Sequence, residues 1–151
     1  MFKKIIVPVD GSEPSWQALK YAVELSGKFD GELLIFHIIQ PLYDANLLDV
    51  QIDGNLLLAQ MDDLKQNAGS VLDSAKEKIA GLTGKFTTRT EFGHPAECII
   101  KLAAETGSDA IVIGSRGLSG ITEFVLGSVS SSVAHKAKVP VLIVKGPDET
   151  L

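Results

Sequence analysis

Short continuous runs of apolar residues alternate along this chain with longer segments in which apolar residues recur every three or four positions. A continuous apolar run predicts a strand covered on both faces, and the three-to-four spacing predicts an amphipathic helix. Ser12 is a good N-cap and Gly27 suits the C′ position, so the first helix is expected to lie between them. The runs predict strands over 5–9, 32–39, 86–92, 109–114 and 139–144, and the periodic segments predict further helices over 61–82, 94–107 and 128–136.

This order of elements predicts an α/β fold, an open, doubly wound, five-stranded parallel sheet with helices on both faces, of the Rossmann-like kind. The strand over 86–92 has a more polar side and is expected at an edge of the sheet. One domain is expected over 1–146, followed by a loose tail at 147–151. The stretch from Gln40 to Gly54 shows no clean period and predicts a long loop, of a length that often serves as a lid or binding loop.

Charge and composition narrow the classes of partner. The formal net charge of −5 over 151 residues argues against non-specific binding to nucleic acid or to an anionic membrane surface. The apolar run near the N-terminus is too short for a signal peptide or a membrane span, so a cytoplasmic location is expected. The single cysteine, Cys98, excludes an internal disulfide and reads as a small buried residue, and the three histidines show no metal-ligand spacing.

The segment between the last two predicted strands is rich in glycine. It reads Gly114-Ser115-Arg116-Gly117, then nine residues, then Gly127-Ser128 at the start of a helix. Glycines allow positive φ and let peptide N–H groups approach a ligand, and a helix start attracts anions, so the segment predicts a phosphate site. It is neither a Walker A loop, since no lysine followed by Ser or Thr closes it, nor a Gly-x-Gly-x-x-Gly dinucleotide loop. An isolated Gly-Ser pair would more often be a turn and an N-cap.

Asp10 follows the first predicted strand, and Gly114 ends the fourth. Both therefore lie at carboxyl ends of parallel strands, where open α/β sheets bind their ligands. This convergence favours a binding site, although Asp10 could also serve only an Asx turn.

The glycine spacing resembles the signature of the ATP-binding form of the universal stress protein family, Gly-x2-Gly-x9-Gly followed by Ser or Thr. Gly114, Gly117, Gly127 and Ser128 match it position by position. Similar segments continue the resemblance over essentially the whole chain, in the expected order, at 6–12, 93–96 and 139–144.

The resemblance implies an adenine nucleotide alpha hydrolase-like fold and a site for ATP, or for AMP or ADP, with Mg²⁺ as the expected cation. Asp10 would hold the ribose or the adenine edge between main chain near Pro8 and Ile38, and Gly127 and the residues after it would receive the β- and γ-phosphates. Arg116 would either add a charged contact or remain solvated. No catalytic residue or metal-ligand cluster is predicted. The expected binding residues are Pro8, Val9, Asp10, Ile38, Gly114, Arg116, Gly117, Gly127, Ser128, Val129 and Ser130.

The function predicted from the resemblance is that of a nucleotide-dependent stress-response sensor or regulator, read by a regulatory protein that the sequence does not identify. The alternative is a slow ATP hydrolase, or an enzyme that phosphorylates itself at Ser128 or Ser130. No general base is evident, so efficient turnover is not expected. A response-regulator receiver shares the architecture, but Asp10 lacks the acidic neighbours that it would need.

The last predicted strand, Val139 to Val144, is apolar on both faces, and if it is the outermost strand its open edge is expected to be uncovered. An uncovered apolar edge invites pairing with another chain, which predicts a homodimer through this strand, as the resemblance also implies. The alternative is an interior strand that needs no partner.

Overall fold

The computed structural model describes residues 1–41, 53–82, 84–117 and 126–146. The predicted tail at 147–151 and most of the predicted loop from Gln40 to Gly54 lie outside these ranges. The elements are β1 Lys4–Pro8, α1 Glu13–Phe29, β2 Glu32–Ile39, α2 Gly54–Lys78, β3 Lys85–Phe92, α3 Pro95–Thr106, β4 Ala110–Gly114, α4 Ser128–Lys136 and β5 Val141–Val144.

The five strands form one parallel sheet in the order β3-β2-β1-β4-β5, which confirms the predicted doubly wound fold and the edge position of β3. The chain runs outward from β1 to β3 and then returns to place β4 on the other side of β1. The order of strands therefore reverses between β1 and β4, which is the position where open α/β sheets bind ligands.

Both faces of the sheet are covered, which explains the continuous apolar runs in the sequence. On one face, strand residues such as Ile5 and Ile35 pack against α1 and α2. On the other face, Ile6 and Phe36 pack against α3 and α4. Consecutive residues of β1 and β2 thus belong to different halves of the core.

The end of α1 differs from the prediction. The helix continues through Gly27 to Phe29, and Asp30 caps it in the left-handed region with φ of 49° while its N–H bonds to the carbonyl of Ser26. The Phe29 ring lies 5.1 Å from the ring of Phe2. We attribute the longer helix to this contact, because the aromatic packing outweighs the modest helix-breaking tendency of an exposed glycine.

The start of α2 also differs from the prediction. The helix begins at Gly54, where Asp53 caps it by accepting a hydrogen bond from the amide of Asn55, and it ends at Lys78, before Leu82. Its fully buried residues, Ala68, Leu72 and Ala75, all lie in the second half. The first turns bury no side chain completely, so hydrophobic periodicity could not reveal them.

None of the helices within the described ranges combines the length and apolar character that a membrane span requires.

Candidate functional site

A cavity of about 450 Å³ opens beyond the carboxyl ends of β1, β2 and β4, at the switch point of the sheet. The first turns of α3 and α4 and one side of α2 complete its wall. The structure brings all of the sequence-predicted binding residues to this one cavity: Pro8, Val9, Asp10, Ile38, Gly114, Arg116, Gly117, Gly127, Ser128, Val129 and Ser130.

Further residues that were not among the expected binding residues line the same cavity, and for one of them, His37, the sequence predicts a place in the core or at the pocket rim. His37 comes from β2, Leu64 and Asn67 come from α2, and Pro95 begins α3. Pro95 lies within the 93–96 segment that carried part of the family resemblance, so that segment was a usable signal. The two α2 residues had no such signal, because their position depends on how the helix packs across the sheet.

Asp10 forms the turn that links β1 to α1. Its Oδ1 accepts hydrogen bonds from the amide of Ser12 at 2.9 Å and from the Ser12 hydroxyl at 2.5 Å. Ser12 in turn caps α1 by accepting from the amide of Ser15. Gly11 adopts φ of 89°, a conformation that few residues other than glycine take. Asp10 therefore forms an Asx turn, and the same side chain also lines the cavity.

The first turn of α4 presents main-chain amides to the cavity. Gly127 is the N-cap and has no side chain to cap the helix, and the first helical hydrogen bond runs from the Ser131 amide to the Gly127 carbonyl. The amides of Ser128, Val129 and Ser130 therefore precede the helical ladder and have no partner within it. Because these three residues line the cavity, their donors and the positive end of the helix dipole favour an anion there.

Ser115 and Ser130 hold this first turn of α4 against the end of β4. The carbonyl of Ser115 accepts from the Gly127 amide at 2.8 Å and from the Ser130 hydroxyl at 2.8 Å. That hydroxyl also lies 3.0 Å from the Gly127 carbonyl, and Ser130 is buried. The single hydroxyl proton is thus used within the protein, and Ser130 can offer a ligand its amide rather than its hydroxyl proton.

Each of the three glycines of the signature lies where an added side chain would crowd a neighbouring group. A Cβ at Gly114 would lie 2.7 Å from the main-chain carbon of Pro14, and one at Gly127 would lie 3.2 Å from the carbonyl oxygen of Ser115. A Cβ at Gly117 would lie 2.7 Å from Oδ2 of Asp10. None of these three glycines has a positive φ, although the sequence suggested a left-handed turn. Their role in the structure is to leave room for neighbouring groups that pack closely against them.

The end of the β1–β2 ladder exposes the main chain of Ile38. The amide of Val9 donates to the carbonyl of Phe36 at 2.8 Å, so Phe36 directs its polar groups toward β1. In a parallel sheet alternate residues face the same neighbouring strand, so Ile38 also faces that side, where β1 has already ended. The main-chain groups of Val9 are instead used within the protein, because its amide donates to the carbonyl of Phe36 and its carbonyl accepts from the ring of His37.

Arg116 and Cys98 differ in what they can contribute. Arg116 is partly buried in the cavity wall, near the glycines.

Cys98 is buried on α3, as predicted. Burial raises the pKa of its thiol, and the negative charge of Glu91 raises it further. The reactive thiolate is therefore disfavoured. Across the described parts of the chain, no three His, Cys, Asp or Glu side chains come together as a metal site would require.

Comparison with known proteins gives a consistent result along the chain. The model of the universal stress protein family matches residues 1–145. The universal stress protein YxiE of Bacillus subtilis is 36% identical over 148 residues, a match that covers 96% of this chain and 100% of that protein.

Two solved structures extend the comparison to the fold. The structure of MJ0577, a universal stress protein of Methanocaldococcus jannaschii, superposes with a TM-score of 0.82 at 29% identity and covers 98% of this chain and 99% of that one. A universal stress protein solved in complex with cAMP superposes with a TM-score of 0.69 at 25% identity and covers 95% of this chain and 96% of that one.

Proposed function

Because this chain belongs to the universal stress protein family, we propose that it binds an adenine nucleotide in the switch-point cavity and acts as a nucleotide-dependent regulator. The observation that carries the proposal is the meeting of Asp10, the signature glycines and the start of α4 around one cavity. Its volume of about 450 Å³ falls within the usual range for small-molecule sites. The relative solved with cAMP supports a nucleotide as the ligand.

The phosphates are proposed to lie at the start of α4. The amides of Ser128, Val129 and Ser130 supply donors with no partner in the helix, and Arg116 supplies a positive charge in the same wall. ATP is the proposed nucleotide, with AMP or ADP able to use the same site. Among the described residues that line the cavity, Asp10 supplies the carboxylate, and one carboxylate provides few ligands for a cation. Mg²⁺ would therefore be held chiefly by phosphate oxygens and water, as is usual for this ion.

The nucleoside is proposed to lie at the other end of the cavity, over the carboxyl ends of β1 and β2. Ile38 directs main-chain polar groups to the space that β1 leaves, and Pro8 adds an apolar surface beside it. The Asp10 carboxylate lines the cavity and closely approaches Gly117. A ribose hydroxyl or a base edge could donate to that carboxylate.

Slow hydrolysis or self-phosphorylation remains the alternative activity. Ser128 is exposed and lines the cavity, whereas the hydroxyl of buried Ser130 is hydrogen-bonded to main-chain carbonyls. If a phosphoryl group is transferred to the protein, Ser128 is therefore the expected acceptor. The regulatory output would be a change of surface read by a protein partner, provided that ATP binds two states with different affinity. The cytoplasmic location stays a prediction.

We also propose a homodimer formed through the segment Val139 to Val144, which contains β5. β5 lies at the edge of the sheet, next to β4, and Leu142 is 41% exposed. An apolar side chain on an open edge strand favours pairing with a second copy. Leu142→Lys should convert a dimer to a monomer in analytical ultracentrifugation. Leu58→Lys on α2, at another exposed leucine, should leave the mass unchanged; a monomeric wild type would refute the proposal.

The nucleotide proposal is tested by calorimetric titration of ATP with Mg²⁺. Wild type should bind saturably and Gly127→Val should not, because the added side chain would meet the carbonyl of Ser115 at the start of α4. Gly27→Val is the matched control, since a Cβ there meets nothing within 4 Å. Circular dichroism establishes that each variant is folded. Absence of binding by folded wild type, or equal binding by Gly127→Val, would refute the proposed site.

A further inference from the structure

His37 is a buried polar side chain at the proposed nucleoside end of the cavity. It lies near the end of β2, is 8% exposed and lines the cavity. Leu33 and Ile35 precede it at alternate positions and belong to the half of the core that packs against α1 and α2. His37 therefore lies on that same face of the sheet, opposite the face on which α4 packs.

The hydrogen bond to Val9 fixes the tautomer of His37. Its Nδ1 lies 2.7 Å from the carbonyl oxygen of Val9, and a carbonyl oxygen can only accept. Nδ1 must therefore carry the proton. In the neutral ring Nε2 is then unprotonated and acts as a hydrogen-bond acceptor.

The second ring nitrogen is accessible to a ligand. Among the described residues that are not exposed, no side-chain nitrogen or oxygen is both buried and without a hydrogen-bond partner. The hydrogen bond of the His37 ring is the one that Nδ1 makes with Val9, so Nε2 is not completely enclosed by protein. Because the rest of the residue is buried and it lines the cavity, the cavity is where Nε2 is reached.

We propose that Nε2 of His37 accepts a hydrogen bond from the nucleoside part of the bound nucleotide and so helps to determine which nucleoside the cavity prefers. The donor is an exocyclic amine of the base or a hydroxyl of the ribose. This inference rests on the proposed nucleotide function. A nucleoside that presents a carbonyl oxygen, or no group, at that position leaves the acceptor unpaired and binds more weakly.

Two amide substitutions separate the two ring nitrogens. The amide nitrogen of His37→Asn can take the place of Nδ1 and keep the bond to Val9, but nothing replaces Nε2. The longer His37→Gln can place its amide oxygen near Nε2 but cannot keep the bond to Val9. Neither substitution alters the glycines or the amides at the start of α4.

The experiment measures the affinity of both variants for ATP, inosine triphosphate and 2′- and 3′-deoxy-ATP. We expect His37→Asn to remain folded and to bind ATP about three- to ten-fold more weakly, the range of one net hydrogen bond. His37→Gln should retain more of the ATP affinity while unfolding at lower denaturant. Wild type should bind the analogue that lacks the donor more weakly than it binds ATP. That analogue is inosine triphosphate if the donor is the amine, and one of the two deoxy analogues if the donor is a ribose hydroxyl. His37→Asn should lose that discrimination.

Nitrogen-15 spectra of the histidine ring give a readout that a purely structural role would not move. The Nε2 resonance should shift when ATP binds. The inference is overturned if folded His37→Asn keeps the wild-type ATP affinity and discrimination, or if the Nε2 resonance does not respond to ATP. Loss of binding in Gly127→Val would still support the nucleotide site in that case, whereas failure of wild type to bind ATP would overturn both.

Discussion

A methyl group on the Cα of Gly117 would lie 2.7 Å from Oδ2 of Asp10. The segment that follows β4 therefore packs directly on the side chain that ends the β1 turn. These two segments flank the point where the strand order reverses, so the floor of the cavity is built from their contact.

Gly117→Ala should weaken ATP binding about ten-fold, because the added methyl group displaces the Asp10 carboxylate and perturbs a charge-assisted hydrogen bond to the ligand. The neighbour that must move is the end of a side chain, so the free energy of unfolding should change little. Calorimetric titration measures the ATP affinity, and urea unfolding measures the free energy of unfolding. Gly146→Ala, where a Cβ would contact Pro14 at 3.5 Å, is the control, and unchanged ATP affinity in Gly117→Ala would contradict the prediction.

Gly114→Ala should destabilise the fold. Its Cβ would lie within 2.7–2.9 Å of the main chain of Pro14 and Ser15, at the start of α1, and neither backbone can give way locally. We expect a loss of about 1–3 kcal/mol in the free energy of unfolding, as for other overpacked sites. Gly69→Ala, in open space on α2, should instead stabilise the protein by up to about 1 kcal/mol. Equal midpoints of urea unfolding for the two variants would be inconsistent with this packing.

Ser130→Ala should lower the free energy of unfolding by about 1 kcal/mol, the usual net value of a hydrogen bond, because it removes the donor to the Ser115 carbonyl. ATP affinity should stay within about two-fold, well under the value of one hydrogen bond, since the Ser130 amide is retained. Thermal unfolding and titration measure the two quantities, with exposed Ser131→Ala as the control. If ATP binding is lost while stability is unchanged, the hydroxyl itself contacts the nucleotide.

Asp109 should make stability depend on pH. Burial alone would raise the pKa of its carboxyl group, but hydrogen bonds from the amides of Lys3 and Lys4, with the N-terminal charge, lower the pKa below its ordinary value. A pKa that is lower in the folded state stabilises the protein above the unfolded-state pKa, and this contribution disappears as the pH falls through the folded-state pKa.

Asp109→Asn should therefore lower the free energy of unfolding at pH 7, by well under about 1 kcal/mol because the Asp109 side chain is 35% exposed and water screens its charge. The difference from wild type should shrink below about pH 4. Urea unfolding at a series of pH values measures this difference. Asp62→Asn, on the exposed side of α2, is the control. A difference that is independent of pH would show that the charge on Asp109 does not contribute.

Much of the site could be predicted from the sequence because its parts follow strand ends. Asp10 and Gly114 each close a buried apolar run, and parallel strands bring their carboxyl ends to one edge of the sheet. The glycine spacing located the start of α4 in the same way, because Gly127 lies directly before the helix.

Other features depend on contacts that no local pattern records. The first helix continues through Gly27 to Phe29, and the ring of Phe29 contacts Phe2 beyond the predicted boundary. Asn67 reaches the cavity because of how α2 crosses the sheet. The sequence predicts a core or pocket-rim position for His37, but it does not show that the Val9 carbonyl, just beyond β1, accepts a hydrogen bond from the His37 ring.

Ser115 belongs to two parts of the molecule at once. Its carbonyl holds the first turn of α4, and its amide donates to the carbonyl of Val144 at 2.7 Å, at the end of β5. One buried residue thus joins the proposed phosphate end to the proposed dimer strand. Coupling between two such sites is reciprocal, so if self-association tightens nucleotide binding by some factor, the nucleotide must tighten self-association by that same factor. The concentration of the protein would then help to set how it responds to ATP.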